Sequence, residues 1–472
     1  MKLFMNHICP VVKHFIGLSV IALLTGCAIG TDYVRPDVSL PVAWQATLPH
    51  GGRYGEMADW WKQFNDATLT EMQASAQSNS PSLDKAAAAI RSARSNITIS
   101  RAAGLPSISA GATTNRSGEA RTSGSAATTT SNGVDASWEI DLFGGVRRSV
   151  EAAKATLSAK EADWHDARIS LSAEVAVDYV DYRACRIKQS VYQDQSLSYR
   201  ETLHSTRASV NAGFSAPADL ALAEAGAASA SSSAIAQEAA CEVGIKSLVA
   251  ITGLSETDVR QMLGTGKESI PNPSEASLEV VPATLVTQRP DVISAERQLA
   301  SAMAKIGVAE ANQWPVISVT GSISVTHALG VSTTPWSLVP ALSVPLFNAG
   351  ALSAKVEIAR ADYDTAFANY KSTVRNAIKE VETALVNLDS TERREQDART
   401  SARQYQVYFK AAEINWQAGR ISLLDLEIAR RSALSAEIAL VELNQSRISY
   451  WIQLYKALGG AWKSSQNSKG VQ

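Results

Sequence analysis

The chain contains the same long stretch twice, and this duplication constrains its fold more than any other feature. LFGG at 142–145 returns as LFNAG at 346–350. Past a two-residue slip in that turn a single offset of 206 holds. Glu151 matches Glu357, Ala155 matches Ala361, Gly213 matches Gly419, Asp219 matches Asp425, Leu220 matches Leu426 and Gly253 matches Gly459. An earlier block repeats at an offset of 209. It pairs Pro81 and Pro106 with Pro290 and Pro315, and LPSIS at 105–109 with WPVIS at 314–318. The repeating unit is about 170 residues long, far beyond the period of roughly 20–50 residues that marks a solenoid. Two copies of one substructure, related by pseudo-symmetry, are expected.

Each copy reads alike. Pro81 opens a helix of about 22 residues, since proline suits a first turn, and Pro106 closes it. Residues 107–115 alternate as a strand, the Gly/Ser/Thr-rich stretch 117–133 reads as a loop, and 135–143 as a second strand. In the other copy 316–327 alternates, with Ile317, Val319, Ile323 and Val325 on one face and Ser318, Thr320, Ser322, Ser324 and Thr326 on the other. Loop 328–335 and strand 336–346 follow. Trp138, Trp314 and Trp336 flank strands, where membrane barrels place aromatic girdles.

Each hairpin feeds a very long helix. No Pro or Gly occurs from Val146 to Asn211, or from Ala351 to Gln417. At 1.5 Å per residue each helix would reach roughly 100 Å, a length that fits a coiled coil or helical tube. Both stop in matched turns, where Gly213 and Gly419 suit left-handed caps. Pro217 suits the first turn of one return helix, and Ser422 with Asp425 forms a capping box on the other. The return helices run to Gly253 and Gly459. The segments left over should gather partway along the helices. Among them, residues 59–80 read as one short amphipathic helix with Phe64, Leu69 and Met72 on one side.

The chain so divides into a signal peptide (1–26), an N-terminal arm and equatorial segment (27–80), repeat 1 (81–253, hairpin 105–143), an equatorial linker (254–289), repeat 2 (290–459, hairpin 314–346) and a tail (460–472). The fold class is α+β. Four strands cannot close a membrane barrel, whose smallest members have about eight, and an apolar strand face needs closure or cover. Several chains must therefore share one barrel and one helical tube.

At the N-terminus Lys2 and Lys13 flank the apolar run 15–24, too short to span a bilayer. It ends in Leu24-Thr25-Gly26-Cys27, which resembles the bacterial lipobox and implies a lipid on Cys27. Ala28 stands where an Asp would favour inner-membrane retention, so the resemblance points to the outer membrane. The 44 basic and 46 acidic residues nearly cancel, against a nucleic-acid partner. There is no Walker loop, GxSxG or HExxH, and His50, His165, His204 and His327 have no metal-ligand spacing. No catalytic residue, no metal and no cofactor beyond the Cys27 lipid are expected.

Cys185 lies 29 residues before the tip centre at Phe214 and Cys241 lies 27 after it. An antiparallel helix pair puts them level, so a disulfide is expected in an oxidising compartment. The second copy has Thr391 and Arg447 there.

The lipobox, GTDYVRP at 30–36, DWWKQF at 59–64, QRPDV at 288–292 and the duplicated LF-turn-helix pattern, taken together in that order, resemble a TolC-type outer-membrane factor of the NodT efflux-lipoprotein branch. The likeness covers essentially the whole mature chain, with Thr31 where a Pro is common. It implies a homotrimer, with a β-barrel of 12 strands in outer-membrane lipid and a 12-helix tunnel extending into the periplasm. It implies a passive exit duct reached by an inner-membrane pump through a periplasmic adaptor. The adaptor would meet tips formed by Asn211, Gly213, Phe214, Gln417, Gly419 and Arg420. Asp219 and Asp425 are helix caps and, by the same likeness, gate candidates. The family's Arg two residues after the tip Gly appears here as Ile421, with Arg420 adjacent. The competing reading is a structural or adhesive coiled-coil lipoprotein without a pore. Matched amphipathic hairpins, which an adhesin does not need, separate the two.

Overall fold

The computed structural model describes residues 29–37, 44–46, 60–118, 126–266, 268–273 and 283–460. The signal peptide, Cys27 and the tail beyond Gly460 lie outside the described residues. The helices are α1 (Ala67–Asn79), α2 (Pro81–Ala102), α3 (Gly145–Asn211), α4 (Pro217–Thr252), α5 (Glu256–Thr265), α6 (Pro290–Ala311), α7 (Ala351–Gln417) and α8 (Leu423–Ala457). The strands are β1 (Ser107–Ser117), β2 (Ala127–Ile140), β3 (Val316–Ala328), β4 (Val331–Thr333) and β5 (Trp336–Ser343). Helices α3 and α7 each run 67 residues without a break, as their lack of Pro and Gly leads one to expect. Among the described residues no helix is long and apolar enough to cross a membrane.

Two compact units divide the chain. One gathers Ala87–Ala162 and Ile293–Ser372 around the sheet, with the described N-terminal residues. Its strands run antiparallel in the order β1-β2-β3, and both β4 and β5 pair with β3. Residues opposite each other in a ladder share a face. The register thus sets Ile108, Ala110, Val134, Trp138, Val319, Ile323, Leu338 and Leu342 on one side. Ser109, Asp135, Ser137, Ser318, Thr320, Ser322 and Ser337 fall on the other. Gly133 lets the backbones approach, since a Cβ there would lie 2.6 Å from Ser324 Cβ.

A strap of extended chain crosses the foot of this sheet. Ile29 N–H donates to Phe143 O (3.1 Å), and Arg148 donates to the carbonyls of Ile29 (3.1 Å) and Gly30 (2.7 Å). Arg148, nearly buried, also pairs with Asp32 (3.0 Å) and Glu151 (2.7 Å). Tyr33 Oη donates to buried Glu296 (2.7 Å). These contacts give the GTDYVRP stretch its physical role: Gly30 and Asp32 meet Arg148 on α3, and Tyr33 meets Glu296 on α6.

The second unit gathers Ser39–Ala86, Asp163–Val292 and Thr373–Gln472. Its core packs Trp60, Phe64, Leu69 and Met72 against Val175, Tyr179, Val180, Ile245, Leu248, Ile448 and Ile452. Buried Arg183 donates to Tyr179 Oη (3.0 Å) and Leu263 O (3.2 Å), and Tyr179 Oη donates to Asp66 (2.8 Å). In QRPDV, Arg289 donates to Ala457 O (2.7 Å) and pairs with Asp291 and Glu380 (both 2.8 Å). One guanidinium thereby ties the end of α8 to α6 and α7.

Three local expectations need correction. The helix expected over 59–80 is a 3-10 turn at Trp60–Phe64 followed by α1. Asn65 adopts φ +48° and Asp66 caps α1 by accepting from Leu69 N (3.1 Å), a pairing of residue types that favours a break. The loop expected over 117–133 is strand from Ala127 onward, and the second strand ends at Ile140 rather than 143. Asp141 instead caps α3 through the N–H groups of Val146 and Arg147 (3.0 Å each). In the second hairpin the turn is tight, at Leu329–Gly330, and the return strand is split into β4 and β5 beside Pro335. Proline has no N–H to give a ladder.

Candidate functional site: helical tips and an amphipathic sheet

Helix α3 ends where Gly213 takes φ +81° and Phe214 N–H reaches back to Ser209 O (2.9 Å). Helix α7 ends the same way, with Gly419 at φ +67° and Arg420 N–H on Asn415 O (2.8 Å). A bond spanning five residues backward beside a left-handed residue is the Schellman cap, and glycine enters that backbone region without strain. No atom lies within 4 Å of the place a Cβ would take on either glycine, so conformation rather than space selects them.

Asn211, Gly213, Phe214, Gln417, Gly419 and Arg420 are all exposed, Phe214 at 85 %. Asp219 accepts from Ala216 N (3.3 Å). Asp425 accepts from Ser422 N (3.2 Å) and Ser422 Oγ (2.6 Å), while Ser422 Oγ accepts from Asp425 N (3.2 Å). Both aspartates therefore cap return helices.

One apolar cluster holds the two tips together: Ala223, Ala412, Leu423, Leu426 and Ala429, with Leu203, Phe409 and Trp416 against it. Inside it lies a charged pair that sequence reasoning missed. Buried Arg430 pairs with Glu427 and donates to Thr202 Oγ1 (2.6 Å). Its guanidinium sits 4.3 Å from the Tyr199 ring centroid and 5.4 Å from that of Phe409. Burial, then the hydrogen bond to Glu427, pushes the Tyr199 phenol up to about 12. Three helices, α3, α7 and α8, meet on this one side chain. The available signal was placement: Glu427 and Arg430 interrupt the apolar stripe of Leu423, Leu426, Ala429 and Ala433.

The hairpins are fastened differently. Cys185 and Cys241 form a disulfide between α3 and α4, Cα atoms 5.6 Å apart. At the matching places Thr391 donates to Leu388 O (2.8 Å) and Arg447 pairs with Glu395 (2.6 Å). Beside Thr391, between α7 and α8, is a cavity of about 280 Å³ lined by Asn387, Ser390, Leu443, Ser446 and Tyr450.

In the sheet, the face bearing Ile108, Trp138, Ile323, Leu338 and Leu342 is open to the surroundings in the isolated chain. Trp138 Nε1 donates to Gly104 O (3.0 Å), and Trp314 stacks on Phe143 with centroids 5.2 Å apart. Trp336 is exposed at the start of β5. A sheet apolar on one face and lined with small hydroxyls on the other can separate lipid from water.

The family model described as "Outer membrane efflux protein" matches residues 73–254 and 281–460. Nodulation protein T of Rhizobium leguminosarum bv. viciae is 30 % identical over 448 residues, covering 93 % of this chain and 92 % of that protein. The probable efflux pump outer membrane protein TtgC of Pseudomonas putida is 28 % identical, covering 95 % and 96 %. The open-state crystal structure of the Neisseria gonorrhoeae MtrE outer membrane channel superposes with a TM-score of 0.79 at 26 % identity, covering 93 % of this chain and 99 % of that one.

Proposed function

Because the chain belongs to the outer membrane efflux protein family, we infer that it is the outer-membrane channel component of a tripartite efflux system, a passive duct through which an inner-membrane pump discharges. The observation that carries this reading is the two-faced sheet with unpaired edges at β1 and β5. An adhesive rod has no use for such a wall. The sheet is four strands wide once β4 and β5 are counted as one broken strand, half of the roughly eight that the smallest membrane barrels need. Three copies of this chain supply twelve.

The exposed tips at Phe214 and Arg420 are the surface offered to a periplasmic adaptor, and the relative TtgC carries "efflux pump" in its name. Anchoring by lipid at Cys27 belongs to the same reading. It is supported by the lipobox-like stretch, and Ile29, two residues after Cys27, is held by Phe143 and Arg148.

The test is single-channel recording of the purified protein in planar bilayers, with the mass of the mature N-terminus read from the same sample. Stepwise conductance from a trimeric species, and a diacylglyceryl-modified Cys27, are expected. A protein that inserts as a trimer but never conducts would leave only the scaffold reading.

A further inference from the structure

Where two helices pack along their length, the residues three and four apart that face the partner form an apolar stripe. Between α7 and α8 that stripe turns polar at one level. Asn387, Thr391 and Arg394 succeed one another on one side of α7, and Glu442, Ser446 and Tyr450 on one side of α8. Together they line the cavity of about 280 Å³. Thr391 is buried at its floor, while Arg394 and Glu442 stand exposed at its mouth. Among the described residues the side chains of Asn387, Ser390, Arg394, Ser446 and Tyr450 take part in no hydrogen bond or ion pair. Glu442 meets Lys188 of α3 at 3.6 Å.

The duplication shows that the hairpin itself does not demand this lining. The offset of 206 carries Ser390, Ser446 and Tyr450 to Ala184, Ala240 and Gly244, and Glu442 to Ala236. Copy one has small apolar residues there, with the Cys185–Cys241 bond across the helix pair. Gln237 serves that level internally, its Nε2 donating to Cys185 O (3.3 Å). Copy two instead turns a guanidinium, a carboxylate, an amide and hydroxyls toward one space. Polar groups gathered between helices without partners of their own cost stability unless something satisfies them.

We propose that this cavity is a binding site for a small zwitterion of amino-acid size, its carboxylate held by Arg394 on α7 and its ammonium by Glu442 on α8. A guanidinium offers a carboxylate two parallel N–H donors, and a carboxylate is the natural acceptor for an ammonium. Asn387, Ser446 and Tyr450 supply donors and acceptors for the body of the ligand between them. The volume of about 280 Å³ falls just below the roughly 300–1,000 Å³ of pockets for drug-sized molecules, which selects a single amino acid over a larger solute. A ligand so held joins α7 to α8 at the level where the disulfide joins α3 to α4. It is the reversible counterpart, in copy two, of the covalent fastening in copy one. The site holds whether or not the protein conducts.

The test is equilibrium dialysis of the full purified protein against L-glutamine, with N-acetyl-L-glutamine, which lacks the ammonium, and L-glutaminamide, which lacks the carboxylate, as paired controls. L-glutamine should bind saturably at one site per chain, and each control about tenfold more weakly or worse. Arg394→Gln and Glu442→Gln should each weaken L-glutamine about tenfold, and their melting temperatures should stay near that of the wild type because both side chains are exposed. Amide exchange of the wild type supplies a second reading. Saturating L-glutamine should slow exchange along α7 and α8 around Thr391 and Ser446 and leave α3 and α4 around Cys185 unchanged. Absence of saturable binding overturns the proposal. So does equal binding of N-acetyl-L-glutamine, which would make the cavity a site for anions alone. Binding retained in full by both variants would place the ligand elsewhere and overturn it as well.

Discussion

Asp178 sits on α3 between Glu174, one turn before it, and Asp181, about one turn after it. Burial first, then repulsion from those two carboxylates, pushes its carboxyl up from 3.8 to about 6. A carboxyl raised in the folded state is ionised at a penalty above that value, and the penalty disappears as pH falls through about 6 toward the unfolded value. Asp178→Asn should therefore stabilise the protein at pH 8 and change little at pH 4. The gain is about 1 kcal/mol once solvent screening of a half-exposed group is allowed for. Thermal unfolding at the two pH values reads it directly, and an equal shift at both would reject the assignment. Residues such as these were the least legible part of the sequence. A charge on a helix reads as solvated unless its neighbours along the stripe are apolar, and Arg430 among Leu426, Ala429 and Ala433 is buried for that reason. Its ring contacts with Tyr199 and Phe409 come from two other helices, which spacing within α8 cannot reveal.

At the scale of elements the punctuation residues were legible. Pro81, Pro217 and Pro290 each open a helix, and Gly213, Gly253 and Gly419 each take a positive φ after one. Those signals are local, which is why the 67-residue spans of α3 and α7 could be read almost to the residue. Strand from Ala127 to Gly133 was not legible, because small hydroxyl residues look like loop until ladders on both sides hold them. The fastening of the hairpins also belongs to this scale. The Cys185–Cys241 bond closes a separation of 56 residues, which in the chain-entropy account stabilises by about 4 kcal/mol. The α7–α8 hairpin has the Arg447–Glu395 pair and a cavity at the same level. Cys185→Ser with Cys241→Ser should then raise amide exchange across α3 and α4 near the staple, with α7 and α8 little changed. Exchange rising equally in both hairpins would mean that the bond serves the whole bundle instead of its own pair.

At the scale of the whole molecule the duplication becomes a matter of charge. Asp219 and Asp425 cap equivalent return helices six residues beyond Gly213 and Gly419. Capping needs only an acceptor for the backbone at the helix start, whereas a ring needs the negative charge. In a trimer three copies of each aspartate would surround one opening, and like charges at close range repel unless a cation sits between them. Two substitutions separate the roles. Asp425→Ala removes acceptor and charge together, and should lower stability by about 1 kcal/mol for the lost cap as well as weaken block of the open channel by divalent cations. Asp425→Asn keeps an amide oxygen for the Ser422 N–H and removes only the charge. It should leave the melting temperature close to that of the wild type while weakening cation block as much as the alanine does. Retention of full block in Asp425→Asn, measured by titrating magnesium onto single channels, would confine Asp425 to its cap and move the search for a gate to other residues of the tips.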